Sequence, residues 1–358
     1  MVTKPFARAR AVGAGAALLA ALAAVPIGAD EWQTIHPGGE TSCATGTPFN
    51  FHVRPAASDR LLLFFNGGGA CWSAETCDVG GAPATEPTYR AFATAEAGND
   101  PRTFGGAFAL DHPENPFRGW SMVFVSYCTG DVHLGNADAE YRRADGSTFT
   151  IRHRGRTNAL AALDWVFERF DSPERVVVAG GSAGAVASPV LAALVADHYR
   201  DARVIQFAGG GGGYRLPPPT RQWRTWGTFR DLPPLFARRW TDENTTLIDL
   251  YRMAAAAAPR IAFHQFDTAY DAVQEQFHAL LGAPVELKDG LDANRRELTA
   301  ALPRFRGYTA AGEFHTLLRY DALYTTDTGG VRALDWVKAL ADGQEVEDVH
   351  CGDAAACR

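Results

Sequence analysis

The sequence predicts an α/β fold in which a mostly parallel sheet is covered by helices on both faces. Short apolar runs suited to buried strands alternate with segments whose apolar residues recur at helical spacing. From about residue 60 the alternation continues without an internal repeat or a long linker. Because strands separated by helices pair in parallel, and parallel sheets need cover on both sides, this order predicts the fold class.

The individual elements follow from the same patterns. The predicted strands are 60–65, 121–126, 175–179, 203–207, 260–266 and 304–308. The predicted helices are 156–170, 183–199, one that begins near 269, and 331–340. In such sheets ligands bind at the carboxyl ends of the strands, so we expect chemically active residues directly after the apolar runs.

Two long segments interrupt this alternation, 72–118 and 209–245. The second holds five consecutive glycines, five prolines and three tryptophans, Trp223, Trp226 and Trp240. Loops of this length are usually functional or disordered. Because its aromatic residues argue against disorder, we interpret 209–245 as a cap or loop insertion. Its tryptophans could contact a carbohydrate, although such residues more often pack within a cap.

The first 29 residues have the organisation of a signal peptide. Lys4, Arg8 and Arg10 precede an apolar run, and Ala29 provides a small residue at the expected cleavage site. A membrane anchor is the alternative, but the run is shorter than the ~20 residues that span a bilayer. We therefore predict a secreted protein, extracellular or periplasmic, with one domain over 30–358 and no integral membrane segment after cleavage.

Charge and cysteine content agree with export. The net charge is -7 and the basic residues are scattered, so a nucleic-acid partner is not expected. The six cysteines form an even set, which in an oxidising compartment predicts disulfides. Fifteen connectivities exist for six cysteines. Local spacing favours Cys71–Cys77 and Cys351–Cys357, which leaves Cys43 with Cys128. A zinc site is the alternative, but no C-x-x-C occurs.

The most specific short motif is Gly-Gly-Ser-Ala-Gly at 180–184. It follows a predicted strand and precedes a predicted helix, the context in which G-x-S-x-G forms a nucleophile elbow. Such a turn exposes the serine hydroxyl at a helix N-terminus, where developing negative charge is favoured. A glycine-rich turn before an ordinary helix is the plainer alternative. The motif predicts an α/β-hydrolase-like chain with Ser182 as nucleophile.

A second glycine run, Asn66-Gly-Gly-Gly-Ala70, follows the strand at 60–65. Glycine lets backbone N–H groups approach an oxyanion closely, and an early glycine run supplies one donor in many esterases. The residue after the nucleophile supplies another, so we predict Gly68 or Gly69 together with Ala183. A phosphate loop is the alternative, but the run lacks the Gly-Lys-Ser/Thr ending.

A serine nucleophile also needs a base and an acid, which follow it in the chain. His315 lies in a loop after the last predicted strand and is favoured as the base. His264 falls inside a strand and is interpreted as a core residue, and His350 as a surface residue. For the acid, Asp267 and Asp271 both follow a strand, and either could cap the next helix. Position slightly favours Asp267, and the sequence pattern alone leaves the choice open.

Several of these stretches together resemble the pectin acetylesterase family, which includes Notum. The matching stretches occur in family order, and they are FFNGGGACW (64–72), NPFRGWSMVFVSYCTGDVHLG (115–135), GGSAGAVAS (180–188), YDAVQ (270–274) and GEFHT (312–316). The chain departs from many relatives at Gly69, where they carry a large aromatic residue, and this position affects the shape of the pocket.

The resemblance implies specific roles for the candidate residues. It implies Ser182 as nucleophile, His315 as base and Asp271, rather than Asp267, as the acid. It also implies oxyanion donors, which would be Gly68, Gly69 and Ala183. The expected function is that of a secreted serine carboxylic-ester hydrolase, a pectin-type carbohydrate O-acetylesterase that uses an acyl-enzyme.

The expected partner is an acylated polysaccharide or another ester, and neither a cofactor nor a metal is expected. Two other functions stay open. One is a lipid, polyester or aryl esterase with the same triad. The other is a secreted binding protein that keeps the fold without catalysis.

Overall fold

A computed structural model describes residues 31–80, 88–238, 240 and 244–358 of the chain. The predicted signal peptide lies outside the described residues. Within the described part of the chain, no helix combines the length and apolar character needed to cross a bilayer.

Most of the strands belong to one large sheet. The strands are β1 Gln33–Ile35, β2 Phe51–Arg54, β3 Arg60–Phe65, β4 Ser121–Val125, β5 Ala137–Arg142, β6 Thr148–His153, β7 Arg175–Gly181, β8 Arg203–Gly209, β9 Ala262–Thr268, β10 Phe305–Ala310, β11 Asp327–Thr328, β12 Val331–Arg332 and β13 Val349–His350. The nine-stranded sheet has the order β1-β2-β4-β3-β7-β8-β9-β10-β13. Strand β2 is antiparallel to both neighbours, and all other adjacent pairs are parallel. The predicted mostly parallel α/β fold is therefore confirmed.

Helices connect the parallel strands. They are α1 Ala74–Cys77, α2 Gly155–Arg169, α3 Ala183–His198, α4 Thr220–Trp226, α5 Leu247–Ala257, α6 Ala272–Leu281, α7 Leu287–Ala301, α8 Ala322–Thr325 and α9 Ala333–Ala341. Two short 3-10 helices, Pro101–Thr103 and Gly106–Phe108, lie in the segment between β3 and β4.

The predicted elements agree with the observed ones except near the carboxyl terminus. The helix predicted from 269 is two helices, because Gly282 ends α6 in a left-handed conformation. The helix predicted from 331 begins at Ala333, since the two preceding residues pair with β11. The strand predicted over 304–308 is not the last one: β13 pairs beside it and is only two residues long, too short to give a periodic signal.

The sheet separates two apolar cores. Alternate residues of β3 point to opposite faces: Leu61 and Leu63 join one buried cluster, and Leu62 and Phe64 the other. The first cluster includes buried residues of α2, α3 and α5, and the second includes those of α9. Burial on both faces explains why the central strands are continuous apolar runs without polar alternation.

Three disulfides link the cysteines as the spacing predicted. They are Cys43–Cys128, Cys71–Cys77 and Cys351–Cys357. The first joins residues 85 positions apart and connects the segment before β2 to the loop after β4. The other two each close a loop of six positions.

His264 is a buried core histidine, as the sequence indicated. It is 5% exposed, and its Nδ1 lies 3.0 Å from the carbonyl oxygen of Gln206. Burial lowers the pKa of His264 to about 4 from the ordinary 6.5. The neutral ring is thus favoured in the folded state, so stability is present above pH 6.5 and is lost as the pH falls towards 4.

Replacing His264 should make the protein less sensitive to acid. The free energy of unfolding should fall between pH 7 and pH 4 by about 3 kcal/mol less in His264→Gln than in the wild type. Urea unfolding at the two pH values measures this difference. An equal acid sensitivity in His264→Gln and the wild type would contradict the assignment.

Candidate active site

Ser182 occupies the turn between β7 and α3. Its backbone has φ 55° and ψ -118°, a region that costs a non-glycine residue about 1–3 kcal/mol. The N–H of Ser182 donates to the carbonyl oxygen of Gly209 at 2.8 Å. The strand-turn-helix context that the motif at 180–184 requires is present, with the serine at the end of the strand.

His315 and Asp271 form a hydrogen-bonded pair. Nδ1 of His315 lies 2.7 Å from Oδ2 and 2.9 Å from Oδ1 of Asp271. The Asp271 side chain is fully buried, and His315 is mostly buried. The other ring nitrogen of His315, Nε2, is buried and has no hydrogen-bond partner among the described residues. This leaves one nitrogen oriented by a carboxylate and one available for proton transfer.

The glycines after β8 connect the serine to this pair. Gly209 accepts the hydrogen bond from Ser182, and Gly210 packs against His315 so closely that an added Cβ would lie 3.1 Å from its Cε1. The two side chains predicted as nucleophile and base therefore flank the same short backbone segment, at the carboxyl edge of the sheet.

Asp271 also caps helix α6. Its Oδ1 accepts hydrogen bonds from the N–H groups of Val273 and Gln274, both at 3.0 Å, and its Oδ2 accepts from Nε2 of Gln274 at 2.9 Å. Asp271 therefore both caps helix α6 and binds His315. These donors hold the carboxylate in the orientation that His315 needs.

Asp267 contacts a different set of groups. Its Oδ1 accepts from the N–H groups of Gly211 and Gly212 at 3.0 and 2.9 Å, and its Oδ2 lies 3.2 Å from Nη2 of Arg295. Burial raises the pKa of Asp267, and the guanidinium of Arg295 opposes that shift. Position in the sequence slightly favoured Asp267 as the histidine's partner. The geometry instead gives that contact to Asp271. Asp267 accepts hydrogen bonds from the second glycine run, at 209–213.

Gln274 joins the two carboxylates. Its Nε2 donates to Asp267 at 3.0 Å as well as to Asp271, and its Oε1 accepts from the N–H of Gly213. The sequence interpretation missed Gln274, and it assigned the glycines to an insertion rather than to this network. A glutamine three residues after a helix-capping aspartate was the available signal.

In the described part of the chain, three backbone N–H groups of the serine turn and the first glycine run have no hydrogen-bond acceptor. Among residues 31–80, 88–238, 240 and 244–358, none accepts a hydrogen bond from the N–H of Gly68, Gly69 or Ala183. Gly69 and Ala183 line the same cavity as Ser182. These are the groups that the sequence predicted as oxyanion donors, and they remain available to a ligand.

The loop after β4 supports the first glycine run. The hydroxyl of Tyr127 donates to the carbonyl oxygen of Gly69 at 2.9 Å and accepts from the N–H of Val132 at 2.8 Å. Asp131 accepts from Thr129 Oγ1 at 2.6 Å and from the N–H of Gly155 at 2.7 Å. Burial raises the pKa of Asp131 to about 6. Sequence reasoning gave these residues no individual role.

An apolar cavity of about 80 Å³ opens beside Ser182. Its other walls are mainly apolar and come from several elements, namely Ala70, Trp72, Val132, Val186, Tyr214, Leu216, Pro219, Gln222, Trp223, Trp226, Leu247, Phe277 and Leu281. The indole nitrogens of Trp223 and Trp226 donate to the carbonyl oxygens of Thr245 and Cys71. Tyr214, Trp223 and Trp226 of the segment 209–245 thus line this cavity.

The cysteines nearest to histidines are not free thiols. His153 approaches Cys71 and Cys77, and His350 approaches the terminal pair. Both cysteine pairs are disulfide-bonded, and both ring nitrogens of His153 are engaged, one with Thr129 O and one with the Tyr141 hydroxyl. Because zinc binds thiolates, these disulfides provide no such ligands.

A profile of one protein family matches a large part of this chain. The profile, described as pectinacetylesterase, covers residues 35–222, just over half of the 358-residue chain. The chain belongs to the pectinacetylesterase family. The matched range contains Ser182 and the first glycine run, whereas Asp271 and His315 lie beyond it.

Individual relatives show lower and shorter similarity. The chain is 26% identical over 178 residues to pectin acetylesterase 4 of Arabidopsis thaliana, which is 47% of this chain and 40% of the relative. It is 32% identical over 98 residues to palmitoleoyl-protein carboxylesterase NOTUM of Homo sapiens, or 26% of this chain and 18% of the relative. The chain therefore spans less than half the length of these two relatives.

One relative carries the word inactive in its name. It is the inactive palmitoleoyl-protein carboxylesterase notum1b of Danio rerio, 32% identical over 98 residues, which is 26% of this chain and 66% of the relative. Similarity over such a stretch does not separate active from inactive proteins. The groups around Ser182 must therefore carry any inference about activity.

Gly67 marks how closely the first glycine run approaches the serine turn. An added Cβ at residue 67 would lie 2.6 Å from the Cβ of Ser182 and even nearer to the carbonyl oxygen of Gly181. Gly67→Ala should therefore force the two segments apart and lower the free energy of unfolding by about 1–3 kcal/mol.

Urea unfolding measures this loss. Gly80→Ala is the matched control, because the nearest atom to an added Cβ there is 3.8 Å away, and it should change stability by less than about 0.5 kcal/mol. If the two alanine variants proved equally stable, the close approach of the two segments would be wrong.

Proposed function

We propose that this protein is a secreted serine carboxylic-ester hydrolase of the carbohydrate O-acetylesterase type. The observation that carries the proposal is the hydrogen-bonded pair of His315 and Asp271. Nε2 of His315 has no hydrogen-bond partner among the described residues. The pair lies at the edge of the sheet where Ser182 follows its strand. Hydrolysis by serine needs a base held in one orientation with its second nitrogen available.

The reaction proceeds through a covalent acyl-enzyme. His315 takes the proton of Ser182, whose oxygen attacks the ester carbonyl and forms a tetrahedral intermediate. Asp271 holds the ring through Nδ1 and stabilises its cation. His315 then protonates the departing alcohol. Water, activated by the same nitrogen, attacks the acyl-enzyme and releases the acid and free Ser182.

Backbone N–H groups stabilise the negative charge of both intermediates. The free donors of Gly68, Gly69 and Ala183 suit this role, and one such donor typically contributes ~3 kcal/mol to the barrier reduction. The strained backbone of Ser182 fixes the nucleophile before the substrate arrives. No step requires a metal or a cofactor.

Export and an acylated polysaccharide substrate are parts of the same proposal. Three disulfides suit an oxidising compartment, in agreement with the leader-like residues 1–29. The name of the plant relative, a pectin acetylesterase, favours acetyl esters of pectin.

The proposed function predicts serine-dependent release of acetate. The wild type should release acetate from acetylated pectin or acetylated xylan, and Ser182→Ala should release none while keeping the wild-type unfolding temperature. Asp271→Asn should reduce turnover by ~10⁴-fold, because the amide would hold the wrong tautomer of His315. Acid titration or enzymatic detection of acetate measures the rate.

The two polymers serve as controls for each other, since a specific acetylesterase should prefer one of them. Near-normal acetate release by Ser182→Ala would contradict the assignment of the nucleophile. Failure of a fluorophosphonate probe to label Ser182 in the folded wild type would instead favour the non-catalytic binding protein.

A second candidate function follows from the cavity. Its lining is mainly apolar, and a volume of about 80 Å³ holds several water-sized spheres, whereas an acetyl group has only three heavy atoms. This favours a longer acyl chain, as in a lipid, polyester or aryl ester, cleaved by the same three residues.

A series of p-nitrophenyl esters separates the two candidates. If the cavity accepts the acyl group, kcat/KM should rise from acetate to butyrate and then fall for palmitate, which exceeds the space. Leu281→Trp should shift the preferred acyl length towards acetate, because the larger side chain would fill part of the cavity. The exposed neighbour gives a control, since Leu280→Trp should leave the profile unchanged. A profile that keeps rising to palmitate would contradict the size limit.

A further inference from the structure

Arg319 is a buried arginine without a carboxylate beside it. Its side chain is 5% exposed, and no described Asp or Glu oxygen lies within 4.0 Å of its guanidinium. Nη1 donates to Oδ1 of Asn66 at 2.7 Å, and Nη2 lies 3.5 Å from Oγ1 of Thr316. The remaining nitrogen, Nε, is buried and has no partner among the described residues.

The buried Arg295 has a different set of partners. Arg295 is also nearly inaccessible, but its Nη2 lies 3.2 Å from the carboxylate of Asp267. Burying a charge is costly unless it is paired, so proteins usually give a buried arginine a counterion. The guanidinium of Arg319 instead lies over the rings of Phe104 and Tyr320, 5.2 and 5.5 Å from its central carbon.

The contacts of Arg319 reach three parts of the active site. Asn66 directly precedes the glycine run, and Thr316 directly follows His315. The third part is the serine turn, because an added Cβ at Gly181 would lie 3.8 Å from Nε of Arg319. One side chain therefore contacts a neighbour of the oxyanion donors and a neighbour of the base, and it approaches the residue before Ser182.

Every polar group of Asn66 has a hydrogen-bond partner. Its N–H donates to Val125 O and its carbonyl oxygen lies 2.8 Å from Nε2 of His133, while its Nδ2 donates to Gly98 O and to Asn99 Oδ1. The Oδ1 atom has Arg319 as its donor. The start of the glycine run is thus fixed, with the guanidinium as one of its supports.

We infer that Arg319 is a positioning residue for the ester hydrolysis proposed above, one that holds Asn66 and Thr316 and whose uncompensated positive charge favours the oxyanion. The inference rests on that proposed function. Charge develops on the oxyanion only during the reaction, and a fixed cation in a water-poor site stabilises it most at that stage. Because no described carboxylate oxygen lies within 4.0 Å of the Arg319 guanidinium, the tetrahedral intermediate supplies the negative charge that offsets it.

Removing the positive charge of Arg319 should lower kcat much more than it weakens substrate binding. For a p-nitrophenyl ester that the wild type cleaves, Arg319→Met should reduce kcat by about 10²-fold and change KM by less than about threefold. Arg319→Lys keeps the charge and should retain at least about tenfold more activity than Arg319→Met. Arg169→Met is the matched control, because Arg169 also lies over an aromatic ring but is exposed on α2, and its kcat should not change.

A second pair of variants tests the charge without altering Arg319. Phe104→Glu places a carboxylate near the guanidinium, and Phe104→Gln has the same size without the charge. The Glu variant should have about tenfold lower kcat than the Gln variant, with both unfolding at similar temperatures. This pair remains informative if Arg319→Met does not fold.

The outcomes separate the inference from the proposed function. Equal activity of the Glu and Gln variants, or equal losses for Arg319→Lys and Arg319→Met, would overturn the electrostatic role. So would a drop that appears in KM alone. If the folded wild type cleaves no ester in a Ser182-dependent way, the proposed function fails, and the inference fails with it.

Discussion

The site depends on the parallel pairing of β7, β8, β9 and β10. In-register parallel strands end at one edge of the sheet, so the residues that follow them meet even though they are far apart in the chain. Ser182 follows β7, the glycines follow β8, Asp271 follows β9, and His315 follows β10. If one of these strands slipped by a residue, its side chains would exchange faces and the acid and base would separate.

A buried polar network stabilises that edge. The network consists of three almost inaccessible residues, Asp267, Gln274 and Arg295. Asp267 and Gln274 accept hydrogen bonds from backbone N–H groups of the glycines at 209–213, and Gln274 donates to the carboxylate of Asp271. Such groups are costly to bury unless each has a partner. The network therefore restricts the glycines to one conformation, which in turn fixes the distance between the serine turn and the histidine loop.

Sequence patterns located the parts of the site that depend on local chemistry. The central strands were recognisable because burial on both faces makes them continuously apolar, and the serine turn because it requires small neighbours. The choice between Asp267 and Asp271 was not decided by local pattern, since both follow a strand and both could cap a helix. It depends on where His315 lies in space, which is a long-range property. For the same reason the roles of Arg319 and Gln274 were not apparent, and β13 was missed because two residues carry no periodicity.

The cavity walls and the reacting groups come from different parts of the chain. The residues proposed to react, Asp271, His315 and Ser182, follow strands of the sheet. The cavity is lined from loops and helices outside the sheet by Leu216, Pro219, Phe277 and Leu281. Substitutions in those walls can reshape the space for the acyl group without disturbing strand register. An ancestral protein of this architecture could thus acquire a new ester preference by a few neutral steps. Selectivity in this scaffold can evolve separately from catalytic competence.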